Sequence, residues 1–179
     1  MTAPPHEVEL KFTCAPLDLA AVWAAAPAGD DVTRELISVY FDTSDHALQK
    51  AGVSLRVRES QGLRVQTLKR GSGLRREEHE SPIVGLTPDV ELQPLKRLLP
   101  AGESLKPAFN VRVSRRQRTL RYQGAEIEIA LDQGEVTGGR ARSDICELEL
   151  ELKSGPATAL FALAAELTVA APLYLSFEG

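Results

Sequence analysis

The chain has 179 residues, a formal net charge of −4, and an ordinary globular composition with 43% hydrophobic and 26% charged residues. It holds no run of about 18 apolar residues and no basic segment before an apolar one, so we expect neither a membrane span nor a secretion signal. The length favours one domain over residues 1–179. Cys14 and Cys146 lack the spacing of a disulfide framework or a zinc site, which favours buried thiols in a cytoplasmic protein.

The first predicted strand, residues 6–13, alternates charged and apolar residues. A period of two places Glu7, Glu9 and Lys11 on one face and apolar side chains on the other. The same pattern returns in at least three further segments, with charges of both signs. A barrel with a charged interior and an apolar outer face, covered from outside, would produce it.

Along the first half, an Ala- and Leu-rich helix is predicted from Pro16 to about Pro27, with Trp23 packing it onto the strands. Polar residues from Asp42 to Asp45 are expected to cap a short helix that reaches Lys50. A further helix is predicted from Thr87 to Pro100, interrupted or restarted at Pro94. The predicted strands of this half cover residues 34–42, 53–59, 63–69 and 74–80.

The second half repeats the outline of the first. Strands are predicted over residues 109–122, 126–132 and 145–153, a helix over 156–168, and a last short strand over 172–176. Gln133-Gly134 is interpreted as a turn after the second of these strands. The element order predicts an α+β fold, in which a largely antiparallel sheet curls on itself with helices outside.

Charges are segregated along the chain. Residues 50–76 contain eight basic residues against one acid, and residues 126–151 contain eight acids against Arg140 and Arg142. If both segments line one cavity, it suits a polyanion with a divalent metal between it and the carboxylates. The acidic strands and scarce aromatic residues argue against nucleic acid as the partner.

Carboxylates also stack on single strand faces, where they repel one another. Glu147, Glu149 and Glu151 share one face, which on a solvent-exposed strand would cost little. The additional pairs Glu7/Glu9 and Glu126/Glu128 favour a metal site instead. Such oxygen ligands suit Mg²⁺ or Mn²⁺. Basic residues that could complement them on phosphate oxygens are Arg56, Arg58, Lys69 and Arg115.

These residues resemble a known family. Glu7, Glu9 and Lys11 form an E-x-E-x-K motif similar to that of the CYTH domain, or triphosphate tunnel metalloenzymes. Similar blocks follow in the same order, at residues 40–43, 52–58, 65–69, 126–135 and 145–151. The last two blocks look especially like bacterial inorganic triphosphatases, in which a CYTH domain is often fused to a helical CHAD domain.

The resemblance implies an eight-stranded antiparallel closed barrel, or tunnel, with pseudo-duplicated β-α-β-β-β halves and outside helices. It implies hydrolysis of inorganic triphosphate with Mg²⁺ or Mn²⁺, and a water ordered by Glu78 or Glu128. The implied phosphate-binding residues are Lys11, Arg56, Arg58, Lys69 and Arg115. The implied metal ligands are Glu7, Glu9, Glu149 and Glu151, with Glu147 as an additional candidate.

One departure concerns the end of the chain. The bacterial branch usually continues past Leu-Ser with a basic segment, whereas this sequence ends at Ser176-Phe-Glu-Gly179. Either the sequence is a piece of a longer protein, with that basic segment or a CHAD domain beyond it, or the tail has diverged. Three alternative functions stay open: class IV adenylate cyclase, thiamine triphosphatase, and a non-catalytic polyphosphate- or nucleotide-binding module. The chain is expected to be a monomer or a homodimer.

Overall fold

The computed structural model describes residues 6–71, 73–99 and 102–176. The strands are β1 (His6–Thr13), β2 (Asp30–Asp42), β3 (Val53–Ser60), β4 (Leu63–Arg70), β5 (Arg75–Pro82), β6 (Lys106–Tyr122), β7 (Ala125–Gly138), β8 (Ala141–Ser154) and β9 (Tyr174–Ser176). The helices are α1 (Leu19–Ala25), α2 (Ala47–Lys50), α3 (Leu95–Leu98) and α4 (Ala157–Ala170), with a 3-10 turn (Pro16–Asp18) before α1. Within the described ranges, no helix has the length and apolar character needed to cross a membrane.

Strands β1 to β8 form a closed antiparallel barrel. The strands follow the order β5-β4-β3-β2-β6-β7-β8-β1, and β1 closes the ring by pairing with β5. At this closure Glu7 lies opposite Arg76 of β5, while Glu9 lies opposite Glu151 of β8. Strand β9 continues along β1 beyond β5, opposite Lys11–Thr13. The predicted eight-stranded barrel is confirmed.

The main apolar core lies outside the barrel, because the alternating strands turn their apolar side chains outward. Helices α1 and α4 cover β1, β6, β7 and β8 there. Leu163 and Leu167 of α4 and Ile129 of β7 are completely buried in this layer. Removing such side chains from water is the main favourable term that holds the helices on the sheet.

A second apolar cluster covers β2, β3 and β4 under α2 and α3. The predicted cap positions α2: the Asp42 carboxylate accepts hydrogen bonds from the backbone N–H of Leu48 (2.9 Å) and Gln49 (3.1 Å). The Thr43 hydroxyl accepts one from the N–H of Ala47 at 2.8 Å. These side chains satisfy backbone donors that the short helix leaves free.

Trp23 anchors α1 to the barrel, as predicted. Its indole N–H donates to Asp31 Oδ2 at 3.0 Å. The guanidinium groups of Arg116 and Arg118 lie 4.6 and 4.5 Å from the ring centroid, within the range of cation–π attraction. With 5% of its surface exposed, Trp23 is part of the core and lies outside the barrel interior.

Two predicted elements differ from the structure. Of the helix predicted from Thr87 to Pro100, only the four residues of α3 are helical, directly after Pro94, where the prediction placed an interruption or restart; Pro94 lacks the backbone N–H that a helix running through it would need, and Pro100 lies outside the described residues. Gln133-Gly134 does not turn the chain, and β7 continues through it to Gly138. A side chain at position 134 would meet the carbonyl oxygen of Arg112 on β6, so glycine there permits close strand approach.

Cys14 and Cys146 are both free thiols, and the strands bring them together. Their sulfur atoms are 3.6 Å apart, and the N–H of Cys14 donates to the carbonyl of Cys146 at 3.1 Å. Burial, together with the contact to Cys146, raises the pKa of the Cys14 thiol to about 12. The two thiols are free, as expected, but they are only partly buried, whereas buried thiols were predicted.

Candidate active site

A cavity of about 430 Å³ occupies the barrel interior. Each of the eight barrel strands contributes its inward-facing residues to the wall, so residues far apart in sequence meet around one space. Of the twelve predicted site residues, eleven line this cavity; the exception is Glu147, which contacts it through Lys11. The geometry therefore brings the predicted set together, and the role of each residue stays a prediction.

One side of the cavity is a cluster of ion pairs centred on Glu9. Lys69 Nζ lies 2.7 Å from Glu7, 3.6 Å from Glu9 and 3.5 Å from Glu78. Arg76 Nη2 donates to Glu9 Oε1 at 2.9 Å. Three carboxylates therefore share two cations in a region where Glu9 is only 6% exposed.

A second cluster of ion pairs surrounds Glu149 on β8. Lys11 Nζ lies 3.0 Å from Glu149 and 3.3 Å from Glu147. The guanidinium of Arg115 donates to both Glu149 and Asp132. Burial opposes ionisation of Glu149, but the charges of Arg115 and Lys11 outweigh it and hold the pKa of Glu149 well below its usual range.

The pKa of Glu9 is shifted in the opposite direction from that of Glu149. Burial, followed by the negative charge of Glu149 and the contact with Glu7, raises the pKa of Glu9 from 4.5 to about 7. Lys69 offsets only part of this effect. The pKa values of two neighbouring carboxylates, Glu9 and Glu149, are therefore shifted in opposite directions by their environments. Such opposed shifts are frequent at functional sites.

Arg56 and Arg58 of β3 line the same cavity and have no carboxylate partner among the described residues. Arg56 donates to the Tyr40 hydroxyl at 3.4 Å, and its buried Nε has no partner in the described part of the chain. Arg58 donates to the Ser38 hydroxyl at 3.3 Å. Burial and the charges of Arg56 and Arg115 lower the pKa of Arg58 to about 10. An anion in the cavity would relieve this crowding of positive charge.

The carboxylates do not converge on a common point. Across the described ranges, no group of three or more histidine, cysteine, aspartate or glutamate side chains is arranged to hold a metal ion. Their oxygens instead contact lysine and arginine, as with Glu7 and Lys69. The donor set nevertheless fits Mg²⁺ or Mn²⁺ chemically, because Glu7, Glu9, Glu149 and Glu151 all line the cavity and offer hard oxygen ligands.

The two candidates for ordering a water molecule lie in different parts of the cavity wall. Glu78 is on β5 beside Lys69, at 3.5 Å. Glu128 is on β7, opposite Glu151 of β8 in the strand register, and accepts a hydrogen bond from Gln117 at 3.3 Å. Both carboxylates face the interior, so either Glu78 or Glu128 is placed where it could order a water molecule.

Sequence reasoning missed several charged residues of the site. Arg34, Arg76 and Lys153 line the cavity, and Asp132 holds Arg115. Alternation could have found Arg76, since it shares strand parity with Glu78. Arg34 carried a weaker signal, because only the pairing of β2 with β6 places it opposite Arg115.

The fold and site define a class of tunnel proteins: closed antiparallel barrels with outside helices and an interior cavity lined by charges of both signs. The chain belongs to the CYTH domain family, whose family model matches residues 5–178. It is 30% identical, over 96% of its length, to an inorganic triphosphatase of Haemophilus influenzae. The chain spans about half the length, 52%, of that curated relative.

Solved structures show the same fold. The chain is similar to HpAC1 of Hippeastrum, a candidate adenylyl cyclase described as having a dominant triphosphatase activity, with a TM-score of 0.64 and 16% identity over 97% of this chain and 92% of that one. It is similar to a candidate adenylate cyclase of Bacillus halodurans, with a TM-score of 0.63 and 18% identity over 97% and 94%. At these identities the likeness concerns the fold alone.

Proposed function

We propose that the chain hydrolyses inorganic triphosphate to diphosphate and phosphate inside the barrel, with the help of a divalent metal ion. The observation that carries this proposal is the pair of half-buried arginines, Arg56 and Arg58, which line the cavity without a carboxylate partner among the described residues. Half-buried guanidinium groups without a carboxylate partner favour a multiply charged anion. The name of the Haemophilus influenzae relative supports triphosphate as that anion.

In this proposal five cations hold the substrate. Arg56 and Arg58 bind phosphate oxygens through their guanidinium forks, and Lys11 of β1, Lys69 of β4 and Arg115 of β6 contact further oxygens. Their combined charge lowers the cost of the additional negative charge that builds up on the oxygens during transfer.

The proposed metal ligands are Glu7, Glu9, Glu149 and Glu151, with Glu147 beside them. A bound Mg²⁺ or Mn²⁺ would supply charge neutralisation and orientation of the phosphate oxygens. Glu78 or Glu128 is proposed to orient a water molecule and accept its proton as that water attacks the terminal phosphorus. The bond to the bridging oxygen then breaks, and diphosphate leaves.

The test is release of phosphate by this chain from inorganic triphosphate, ATP and thiamine triphosphate, each with Mg²⁺, Mn²⁺ or EDTA. Metal-dependent release from inorganic triphosphate, with little from the other two, is the expected result. Preferential release from thiamine triphosphate, or formation of cyclic AMP from ATP, would replace the proposed substrate. No release from any of them, with triphosphate still raising the Tm, would indicate a binding module.

A further inference from the structure

The cations of the interior cavity fall into two groups. Lys11, Lys69 and Arg115, proposed to bind phosphate, are each already paired with a carboxylate proposed to bind metal. Arg56 and Arg58 form no such pair within the described residues. The first group therefore already contacts carboxylates before any ligand binds, whereas Arg56 and Arg58 are available to bind an anion.

Around Glu9, both carboxylate oxygens also have a cationic neighbour. Arg76 donates to one of its carboxylate oxygens at 2.9 Å, and Lys69 lies 3.6 Å from the other while contacting Glu7 at 2.7 Å. The side chains of Lys69 and Arg76 are only 16% and 13% exposed. Such shielded contacts are weakened by water and salt far less than surface ion pairs are.

We infer that Lys69 and Arg76 serve as internal counter-ions, which occupy Glu7 and Glu9 in place of a divalent cation until triphosphate draws Lys69 away. This inference rests on the proposed function and adds a binding order to it. It also assigns a role to Arg76, which holds the carboxylate of Glu9 and is therefore a positioning residue.

The physical reason is competition for the same partners. A divalent cation at Glu7 and Glu9 would have to displace two like charges, so the protein alone binds it weakly. Triphosphate takes Lys69 as a partner and thereby frees Glu7, while the metal frees Lys69 for phosphate. By linkage, each ligand raises the affinity for the other by the same factor.

The experiment measures the affinity of Mn²⁺ alone for the full chain at pH 8, without any phosphate, from the free Mn²⁺ signal in electron paramagnetic resonance. Lys69→Met and Arg76→Met each remove one counter-ion and should bind Mn²⁺ at least about tenfold tighter than the wild-type chain, within the usual range of coupling between sites. Arg58→Met is the matched control. It removes a cation from the same cavity that has no carboxylate partner in the described ranges, and should change the affinity less than about threefold.

Unchanged or weaker Mn²⁺ binding in both test variants would overturn the inference, and so would an equal gain in Arg58→Met. If Lys69→Met does not fold by circular dichroism, Arg76→Met decides alone. The outcome is separable from the proposed function. If the wild-type chain hydrolyses triphosphate but neither variant binds Mn²⁺ more tightly, only the counter-ion role is refuted. If the variants bind Mn²⁺ more tightly but the wild-type chain does not hydrolyse triphosphate, the counter-ion role is supported and the proposed hydrolysis is refuted.

Discussion

At the scale of single residues, Arg56 and Arg58, which have no carboxylate partner within the described ranges, should carry much of the binding of substrate. Hydrogen bonds to charged groups contribute about 1.5–3 kcal/mol each, so Arg56→Ala or Arg58→Ala should raise KM for triphosphate at least about tenfold. Arg140→Ala is the control, since Arg140 is exposed and outside the cavity lining. Steady-state kinetics with saturating metal measures the KM of the cavity variants and of the control. An unchanged KM would remove the arginine concerned from the site.

The carboxylates should affect turnover rather than folding. Glu9→Gln and Glu149→Gln keep the size of the side chain but remove a proposed charged metal ligand, so phosphate release should fall to background with the circular dichroism spectrum unchanged. Glu103→Gln, at an exposed position, should retain wild-type turnover. Full activity of both cavity variants at saturating Mn²⁺ would show that the metal assignment is wrong.

Glu9 should also make stability depend on pH. Because burial raises its pKa from 4.5 to about 7, the native state binds this proton more tightly than the unfolded chain. Its stabilising contribution is complete below pH 4.5 and is lost as the pH rises through 7. Glu9→Gln should therefore gain stability relative to wild type over that interval, by on the order of 3 kcal/mol. Urea unfolding of both proteins between pH 4.5 and 8 measures the difference; a flat or falling difference would contradict the assignment.

At the scale of elements, the pairing of β6 with β7 depends on Gly134. Its Cα lies opposite Val113, and an added Cβ would come 1.9 Å from the carbonyl oxygen of Arg112. Gly134→Ala should destabilise the fold by about 1–3 kcal/mol, the usual cost of overpacking. Gly85→Ala is the control, because a Cβ there would have no neighbour closer than 3.8 Å. Equal unfolding midpoints for the two variants would contradict this account.

Elements with strong alternation were predictable for a physical reason. β1, β3 and β8 each present an apolar face to the helices and a charged face to the interior, so their pattern is visible without knowing their partners. The part of the predicted helix before Pro94 does not form, although Thr87-Pro88 has the residue types of a helix start, whereas the restart predicted at Pro94 corresponds to α3. Gln133-Gly134 was mispredicted because a glycine that permits close approach looks the same in sequence as one that permits a turn.

At the scale of the whole molecule, the barrel depends on its outer core rather than on its interior. Leu163 of α4 is completely buried against the strands, so Leu163→Ala should destabilise the protein by about 2–5 kcal/mol. Val169→Ala, on the same helix but 88% exposed, should change stability by less than about 0.5 kcal/mol. Chemical denaturation compares the two, and a similar loss in both would show that α4 does not carry the core.

The sequence by itself predicted a sheet curled on itself with covering helices and the face on which each alternating side chain lies, and its resemblance to the CYTH domain added the closed eight-stranded barrel and the set of site residues. It could not determine which inward charges meet. The pairing of Lys69 with Glu7, of Arg76 with Glu9 and of Arg115 with Asp132 follows from barrel closure and strand register, which join positions distant in the chain. Which cations of the described chain have a carboxylate partner was therefore decided only by the tertiary structure, because electrostatic attraction depends on distances that the order of residues does not contain.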